Sequence, residues 1–479
     1  MTVDLAIVGA GPAGMAAVLE ARKFGASVAV IDDQPRPGGQ IYRRPERRDA
    51  AIERALGAEY AHGMALVERF LAAGVDYRSG TALWDLSGER RLSLLASGGA
   101  SELDARQVIL ATGAMERPVP IPGWTLPGVM TVGAAQIMLK TASAGPSEPV
   151  VLAGSGPLLY LLACQYVEAG VPIRALVETT PAANRFAAAP YLGAALAEWT
   201  LLAKGFSMLS RLRRAGVMRY RGASALRIEG RERAEALSFS IGGRRTRVES
   251  SLVLLHEGVI PNTHVSMAIG AEHEWDPAQL CWRPRLDGWG ETTVAGVAVA
   301  GDGGGIRGAA AAEHWGRLAA LGALGRLSAI DASRRDRESA TAQAALRRLD
   351  GARRFLDALY RPADAQRIPA DDATLVCRCE EVPASEIRHA ARIGAIGLTQ
   401  AKAYTRCGMG PCQGRLCGPT VAALVAAERG MREDSVPPYR PRAPYKPITL
   451  GALASLARAD VSLHTAVSGT ERTTSLDNV

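Results

Sequence analysis

The first thirty residues contain two short apolar runs separated by a helix-like stretch. The run Asp4–Val8 is followed by a glycine-rich turn and then by Met15–Phe24, where apolar residues recur with helical spacing. A second apolar run, Ser27–Ile31, ends at Asp32. The order strand, glycine turn, helix, strand predicts a β-α-β unit, and such units build parallel sheets.

The same order of elements begins again in the middle of the chain. Val150–Ala153 is apolar, Gly154–Pro157 is a glycine turn, and a helical stretch leads to the run Arg174–Val177, which ends at Glu178. Turn-forming residues dominate the stretch 144–149 between the two units. The sequence therefore predicts two dinucleotide-type folds with a crossover between them.

Composition and charge exclude several classes of protein. Apolar residues make up 48% of the 479 residues and charged residues 22%, the balance of a globular protein, and the length suggests about three domains. The formal charge is +8, but the basic residues rarely alternate with aromatics, so we expect no nucleic-acid partner. The chain contains no run of roughly 18 apolar residues, so we expect no membrane span. The N-terminus lacks a basic leader, so we expect a cytoplasmic protein.

The first glycine turn predicts a dinucleotide site. In a Gly-x-Gly-x-x-Gly turn, the first glycine makes the bend, the second lets the backbone approach a pyrophosphate, and the third packs the helix against the strand. The helix N-terminus offers free amides to the phosphates. An acid about twenty residues later accepts hydrogen bonds from the ribose hydroxyls. The residues that fit are Gly9, Gly11, Pro12, Ala13, Gly14 and Asp32.

Further motifs in the same order make the chain resemble the two-dinucleotide-binding flavoproteins. These motifs are Gly38-Gly39-Gln40, Ala111-Thr112-Gly113, Gly258-Val259-Ile260-Pro261-Asn262 and Ala300-Gly301-Asp302. The resemblance implies FAD at the first turn and a second domain inserted in the first. It also implies that the loop with Gly39 and Gln40 lies near the isoalloxazine ring and that Asp302 holds the ribityl chain. The signatures containing Thr112, Gly113 and Gly301 belong to the same flavin site.

The second glycine turn is less complete. Glu178 stands where a ribose-binding acid would be, but Leu159 replaces the third glycine. A bulky side chain there would push the helix from the strand or fill the space that a nicotinamide nucleotide needs. This substitution places NAD(P) binding in doubt, although a substituted third position is sometimes tolerated.

Five of the seven cysteines lie between Cys377 and Cys417, which indicates metal ligation rather than a disulfide framework. Cys377 and Cys379 form Cys-x-Cys, and Cys407 and Cys412 form Cys-x4-Cys. Four thiolates, among glycines whose amides can point at sulfur, predict a [2Fe-2S] cluster. The alternatives are a zinc site, unligated thiols, and Cys417 in place of Cys412 as the fourth ligand.

Residues 375–430 resemble the bacterioferritin-associated-ferredoxin type of [2Fe-2S] domain. The resemblance lies in the strings Cys-Arg-Cys-Glu-Glu and Cys-Gly-Met-Gly-Pro-Cys-Gln-Gly, and it favours Cys412 as the fourth ligand. With Pro127–Thr131, His256–Asn262 and Lys446–Gly451, nearly the whole chain resembles the α (A) subunits of opine oxidases, hydrogen cyanide synthase and hydroxyproline dehydrogenases.

This resemblance implies a heteromeric dehydrogenase or oxidase acting on the C–N bond of opines, amino acids or secondary amines. A catalytic β flavoprotein subunit, similar to amino-acid oxidases, would oxidise the substrate, and this chain would relay electrons to an acceptor. A small γ subunit, an FMN at a subunit interface and membrane association through the acceptor are further implications. No catalytic acid or base is identified. The alternatives are an NAD(P)H-dependent ferredoxin or acceptor reductase and a largely structural subunit that binds an adenine nucleotide.

The predicted fold class is α/β, with two Rossmann-like domains of the glutathione-reductase type and a small, mainly helical C-terminal [2Fe-2S] domain. The predicted parts are a discontinuous FAD-binding domain (1–145 and 259–327), a NAD-like domain (146–258), a helical connector (328–374), the [2Fe-2S] domain (375–430) and a C-terminal extension (431–479).

Overall fold

The computed structural model describes residues 2–43 and 50–456. The first part of the chain builds most of a seven-stranded sheet. Its elements are β1 (Thr2–Val8), α1 (Pro12–Arg22), β2 (Val28–Ile31), α2 (Ala50–Leu56), α3 (Ala58–Leu71), β3 (Asp76–Arg78), β4 (Ala82–Leu86), β5 (Arg91–Ala96) and β6 (Gly99–Leu110).

The middle of the chain builds a five-stranded parallel sheet and a three-stranded antiparallel sheet. Its elements are β7 (Ala114–Glu116), β8 (Val129–Thr131), α4 (Val132–Ala142), β9 (Val150–Ser155), α5 (Pro157–Glu168), β10 (Ile173–Glu178), α6 (Ala183–Ala188), α7 (Leu192–Leu196), α8 (Trp199–Arg214), β11 (Arg219–Arg221), β12 (Ser224–Glu229), β13 (Ala236–Ile241), β14 (Arg244–Glu249), β15 (Val253–Glu257) and β16 (Val259–Pro261).

The last part is mainly helical. Its elements are α9 (His264–Ala268), β17 (His273–Asp276), β18 (Cys281–Pro284), β19 (Val297–Val299), α10 (Ala309–Arg326), α11 (Ala332–Leu359), α12 (Asp364–Arg367), β20 (Leu375–Cys377), β21 (Val382–Pro383), α13 (Ala384–Arg392), α14 (Leu398–Thr405) and α15 (Gly418–Arg429).

The order of strands shows how the two larger sheets are connected. The first sheet runs β3-β2-β1-β6-β5-β4, and β19 pairs in parallel with β6. The second sheet runs β11-β10-β9-β15-β8. Because β19 joins the first sheet only after the chain has completed the second, the second Rossmann-like unit is inserted in the first. The predicted insertion is confirmed.

Local sequence accounts for the limits of the predicted elements. Strands β1 and β2 are almost entirely buried, as expected for central parallel strands covered on both faces. Helix α1 begins at Pro12, earlier than the apolar spacing indicates, because proline suits the first turn of a helix. The connector contains α11, a single helix of 28 residues with a side-chain cap from Asp331.

After α15 the chain turns back toward the first sheet through a segment that we call the C-terminal strap, residues 436–448. Tyr445 N donates to Trp84 O at 2.8 Å, which fixes the strap beside β4. Residues 457–479 of the predicted C-terminal extension lie outside the described residues. None of the helices in the described ranges has both the length and the apolar character needed to cross a bilayer.

Close backbone packing between α1 and α10 generates a first prediction. A Cβ on Gly316 of α10 would overlap the Ala13 carbonyl of α1, whereas a Cβ on Gly205 of α8 would meet nothing within 4 Å. Gly316→Ala should therefore cost about 1–3 kcal/mol of stability through overpacking. Gly205→Ala should be neutral or stabilising by up to about 1 kcal/mol. Thermal denaturation of the two variants measures the difference, and equal midpoints would contradict this account of the packing.

Candidate functional site

A cavity of about 1260 Å³ lies at the carboxyl ends of the central strands of both larger sheets. Its wall includes Val8 at the end of β1 and Ile31 at the end of β2. It also includes His256 and Glu257 at the end of β15. Open α/β sheets bind ligands outside the carboxyl ends of their strands. Both glycine turns border this cavity.

The first glycine turn is shaped by close contacts that only glycine permits. Gly9 has φ +106°, and a Cβ there would lie 2.5 Å from Ala111 O. A Cβ on Gly14 would overlap Gly9 O, so the helix packs directly on the turn. The nearest atom to a Cβ on Gly11 would be Gly39 Cα at 3.7 Å, and Gly11 lines the cavity. The backbone of the turn is therefore open to a pyrophosphate.

Asp32 is buried at the edge of the cavity, at the end of β2. Its Oδ2 accepts from Ala10 N at 2.6 Å and its Oδ1 from Gln34 N at 2.8 Å. Burial raises the pKa of Asp32 and outweighs these two amides, which lower it. The carboxylate is held rigidly and keeps lone pairs for ribose hydroxyls.

The remaining predicted flavin residues lie around the same cavity. Thr112 Oγ1 donates to Asn262 O at 3.2 Å, and Asn262 N donates to Gly113 O at 2.9 Å. Asp302 Oδ1 accepts from Gly308 N at 2.9 Å, just before α10 begins. The predicted residues that line the cavity are Gly9, Gly11, Pro12, Ala13, Asp32, Gly39, Gln40, Thr112, Gly113, Gly301 and Asp302. Gly14 packs behind the turn. The residues present fit an FAD.

The second glycine turn differs from the first in its acid. The Glu178 carboxylate forms an ion pair with Arg219 at 2.6 Å, and both side chains are mostly buried. Leu159 is fully buried in the core beneath α5. The His256 imidazole lies beside the turn, with Nε2 3.1 Å from the position of a Cβ on Gly156. The carboxylate that would receive ribose hydroxyls is thus already paired.

Three titratable side chains that are not among the predicted site residues also border the cavity. His256 Nδ1 lies 2.7 Å from Glu116 Oε1. Lys140 Nζ donates to Gln40 O at 3.1 Å, and burial lowers the pKa of Lys140 to about 7. Glu257 Oε1 accepts from Thr179 Oγ1 at 2.6 Å. The position of Glu257 at the end of a parallel strand could have indicated that it borders the cavity. Lys140 lies in a helix with no local motif, so its sequence context contains no such indication.

The five crowded cysteines form two adjoining groups. The sulfurs of Cys377, Cys407 and Cys417 are buried and all lie within 4.8 Å of one another. The Cys379 thiol contacts that of Cys412 and accepts from the Cys412 amide. Hydrogen bonds from Cys407 and Cys417 lower the pKa of Cys377. The structure therefore places Cys417 in the three-sulfur group and Cys412 beside Cys379.

Backbone amides also point at these sulfurs. Those of Gly408 and Glu380 donate to Cys377. An all-sulfur donor set with amides directed at the thiolates fits a [2Fe-2S] cluster.

The cysteine loop also forms part of the cavity wall. Arg415 and Leu416, which lie between Cys412 and Cys417 in sequence, line the same cavity as the first glycine turn. Arg415 Nε donates to Cys412 O at 3.1 Å, which fixes the side chain against the loop. The cysteine group and the dinucleotide cavity are neighbours.

Comparison with known proteins defines the class. The family model for pyridine nucleotide-disulphide oxidoreductases matches residues 3–316, and that for the sarcosine oxidase A3 domain matches residues 372–456. The crystal structure of L-proline dehydrogenase from P. horikoshii covers 95% of this chain and 79% of its own, with a TM-score of 0.68 at 19% identity. The chain is a pyridine nucleotide-disulphide oxidoreductase by fold, and the predicted α/β class with two Rossmann-like units is confirmed.

More similar sequences narrow this class to a family. The A subunit of opine oxidase from Agrobacterium tumefaciens (strain Ach5) is 45% identical, over 95% of this chain and 92% of that relative. The HcnB subunit of hydrogen cyanide synthase from Pseudomonas aeruginosa is 34% identical, over 95% of this chain and 99% of the relative. The chain belongs to the family of opine oxidase A subunits. It is part of an FAD-dependent oxidoreductase, as the sequence predicted.

The buried Glu257 carboxyl generates a prediction about pH. Burial raises the pKa of Glu257 from 4.5 to about 8. Between these values the folded state holds a proton that the unfolded chain releases, so this residue makes folding less favourable as pH rises. Glu257→Gln keeps an acceptor for Thr179 but cannot titrate. Its stability relative to the original chain should increase from pH 5 to pH 8, by on the order of 1 kcal/mol or more.

Thermal denaturation at several pH values measures this difference. Glu232→Gln, which changes an exposed carboxylate, is the matched control and should follow the original chain. A Glu257→Gln curve parallel to that of the control would show that Glu257 does not retain its proton in the folded state.

Proposed function

We propose that this chain holds FAD at the first glycine turn and a [2Fe-2S] cluster on its C-terminal cysteines, and passes electrons from a catalytic β subunit to an acceptor. The β subunit would be a flavoprotein similar to amino-acid oxidases and would oxidise the C–N bond of an opine, an amino acid or a related secondary amine. The names of the relatives, subunits of an opine oxidase and of hydrogen cyanide synthase, support a heteromeric assembly acting on such substrates.

The observation that carries the proposal is the shared wall between the cysteine loop and the cavity. Arg415 and Leu416 border the space into which Gly11 and Asp32 face, so the loop itself separates the two sites. When bound, a flavin accepts electrons in pairs and releases them singly, and a [2Fe-2S] cluster carries one at a time. A chain that holds both groups side by side is suited to accept electrons in pairs and pass them on one at a time.

The residues around the cavity have binding and positioning roles in this proposal. Asp302 is fixed by backbone amides at the start of α10, whose N-terminal dipole favours negative charge nearby. Lys140 ties the Gln40 loop to α4 through its hydrogen bond to Gln40 O. The paired state of Glu178 argues against a nicotinamide nucleotide as the electron source.

For the cluster we propose ligands from Cys377, Cys379, Cys407 and either Cys412 or Cys417. The sequence resemblance favours Cys412, and the three-sulfur group favours Cys417. The two thiols differ in burial, because Cys417 is buried and Cys412 is only partly so.

The proposed function is tested by an anaerobic absorbance spectrum of the purified chain with iron and flavin analysis, followed by NADH. We expect bound FAD, about two irons per chain, and no bleaching of the flavin by NADH. Immediate bleaching would make the chain an NAD(P)H-dependent reductase. A colourless protein with a bound adenine nucleotide would make its role in the complex a structural one.

Substitution of single cysteines tests the ligand set. Cys417→Ser should lose more than half of the bound iron, because it removes one of three sulfurs that lie within 4.8 Å of one another. Cys281→Ser, which changes a buried thiol outside this group, is the control and should retain iron. Iron retained in Cys417→Ser but lost in Cys412→Ser would return the fourth ligand to Cys412.

A further inference from the structure

The C-terminal strap forms part of the wall at one end of the cavity. Tyr445 and Lys446 line the cavity together with Asp32 and Asp33, although the two pairs are distant in sequence. The Tyr445 ring is buried, and its hydroxyl accepts from Leu86 N at 3.2 Å. Lys446 Nζ forms an ion pair with Asp33. The strap is therefore anchored at this end by β4 and by the loop after β2.

The chemistry of this end is that of a nucleoside site. Apolar side chains of Val8, Ile31 and Leu83 line the cavity here, and Tyr445 packs in the same apolar cluster. The two carboxylates at the end of β2 lie at its edge. An apolar slot suits a heterocyclic base, and carboxylates accept from ribose hydroxyls.

We propose that Tyr445 and Lys446 bind the adenosine half of the dinucleotide, so that the nucleotide site is completed by the C-terminal strap. The Tyr445 ring forms a wall for the base. The Lys446 ammonium has three donors and uses one on Asp33, which leaves donors for a ribose hydroxyl or a phosphate oxygen. The inference rests on the proposed function only in taking an adenine dinucleotide as the ligand.

The other end of the strap contacts the cysteine loop, residues 407–417, through Tyr439. Tyr439 Oη donates to Cys407 O at 2.8 Å. A Cβ on Gly408 would lie 2.7 Å from the Tyr439 ring, and one on Gly414 would overlap it, so the loop is wrapped around this ring. Gln413 Nε2 donates to Pro444 O at 2.6 Å, next to Tyr445.

A single segment thus contacts both sites. A nucleotide that fixes Tyr445 and Lys446 also restrains the residues between them and Tyr439, and so the loop around Tyr439. Because binding couplings are reciprocal, an ordered cysteine loop should in turn favour nucleotide binding. The family model that matches residues 372–456 includes the cysteines and the strap in one unit.

Titration of the flavin-free full chain with ADP and with FAD tests the proposal. Lys446→Ala should raise the dissociation constants of both by about fivefold or more, and Lys446→Arg should restore most of the affinity. Arg442→Ala, which removes an exposed cation of the same strap that does not line the cavity, is the matched control and should bind normally. Unchanged affinity of Lys446→Ala for both ligands would overturn the proposal.

The two ligands separate this proposal from the proposed function. Tight ADP binding that depends on Lys446, without FAD binding, would support the adenosine site and reject the flavin. Hydrogen exchange of the unaltered chain gives a second readout, since ADP should slow exchange in residues 436–448 and in the loop 407–417. No slowing in the strap would overturn the proposal even if the Lys446 variants failed to fold.

Discussion

The close backbone contact at the first glycine turn is the constraint on which the rest of the structure depends. Gly9 meets the carbonyl of Ala111 at the end of β6, Gly14 packs on Gly9, and α10 reaches Ala13 through Gly316. These contacts join a strand, a turn and a helix that are distant from one another in sequence. Any side chain at these positions would move α1 from the sheet. The cavity at the carboxyl ends of the strands would then lose the part of its wall that the glycine turn forms.

The two glycine turns show how similar local sequences acquire different environments. At the first turn, Asp32 is held by amides and faces the cavity. At the second, Glu178 is held by the guanidinium of Arg219 and is already paired. The difference arises from Arg219 on β11, a strand that follows the helices α6, α7 and α8. The position of an acid after a strand therefore does not by itself leave its carboxylate free for a ligand, because a basic residue on the adjacent strand can pair with it.

Some features of the fold and the site could be predicted from the sequence, and others could not. The first turn and the two β-α-β units follow from short-range spacing and turn chemistry, and they were predictable. The insertion of the second unit was predicted through the resemblance of the later motifs to a known family. Lys140 borders the cavity because α4 packs beside the distant Gln40 loop, and the spacing of residues along α4 does not indicate that contact. The choice between Cys412 and Cys417 depends on how the loop 407–417 wraps around Tyr439, which is a property of the folded loop and not of the cysteine pattern.

The wrapping of the cysteine loop around a tyrosine has a consequence for the order in which the protein matures. Tyr439 is synthesised after every cysteine of the group, so the loop cannot close on its ring until the strap has left the ribosome. The first Rossmann-like unit can fold earlier, because β19 and α10 precede the cysteines. Of the strap contacts described above, the one between Lys446 and Asp33 therefore becomes available last in the order of synthesis.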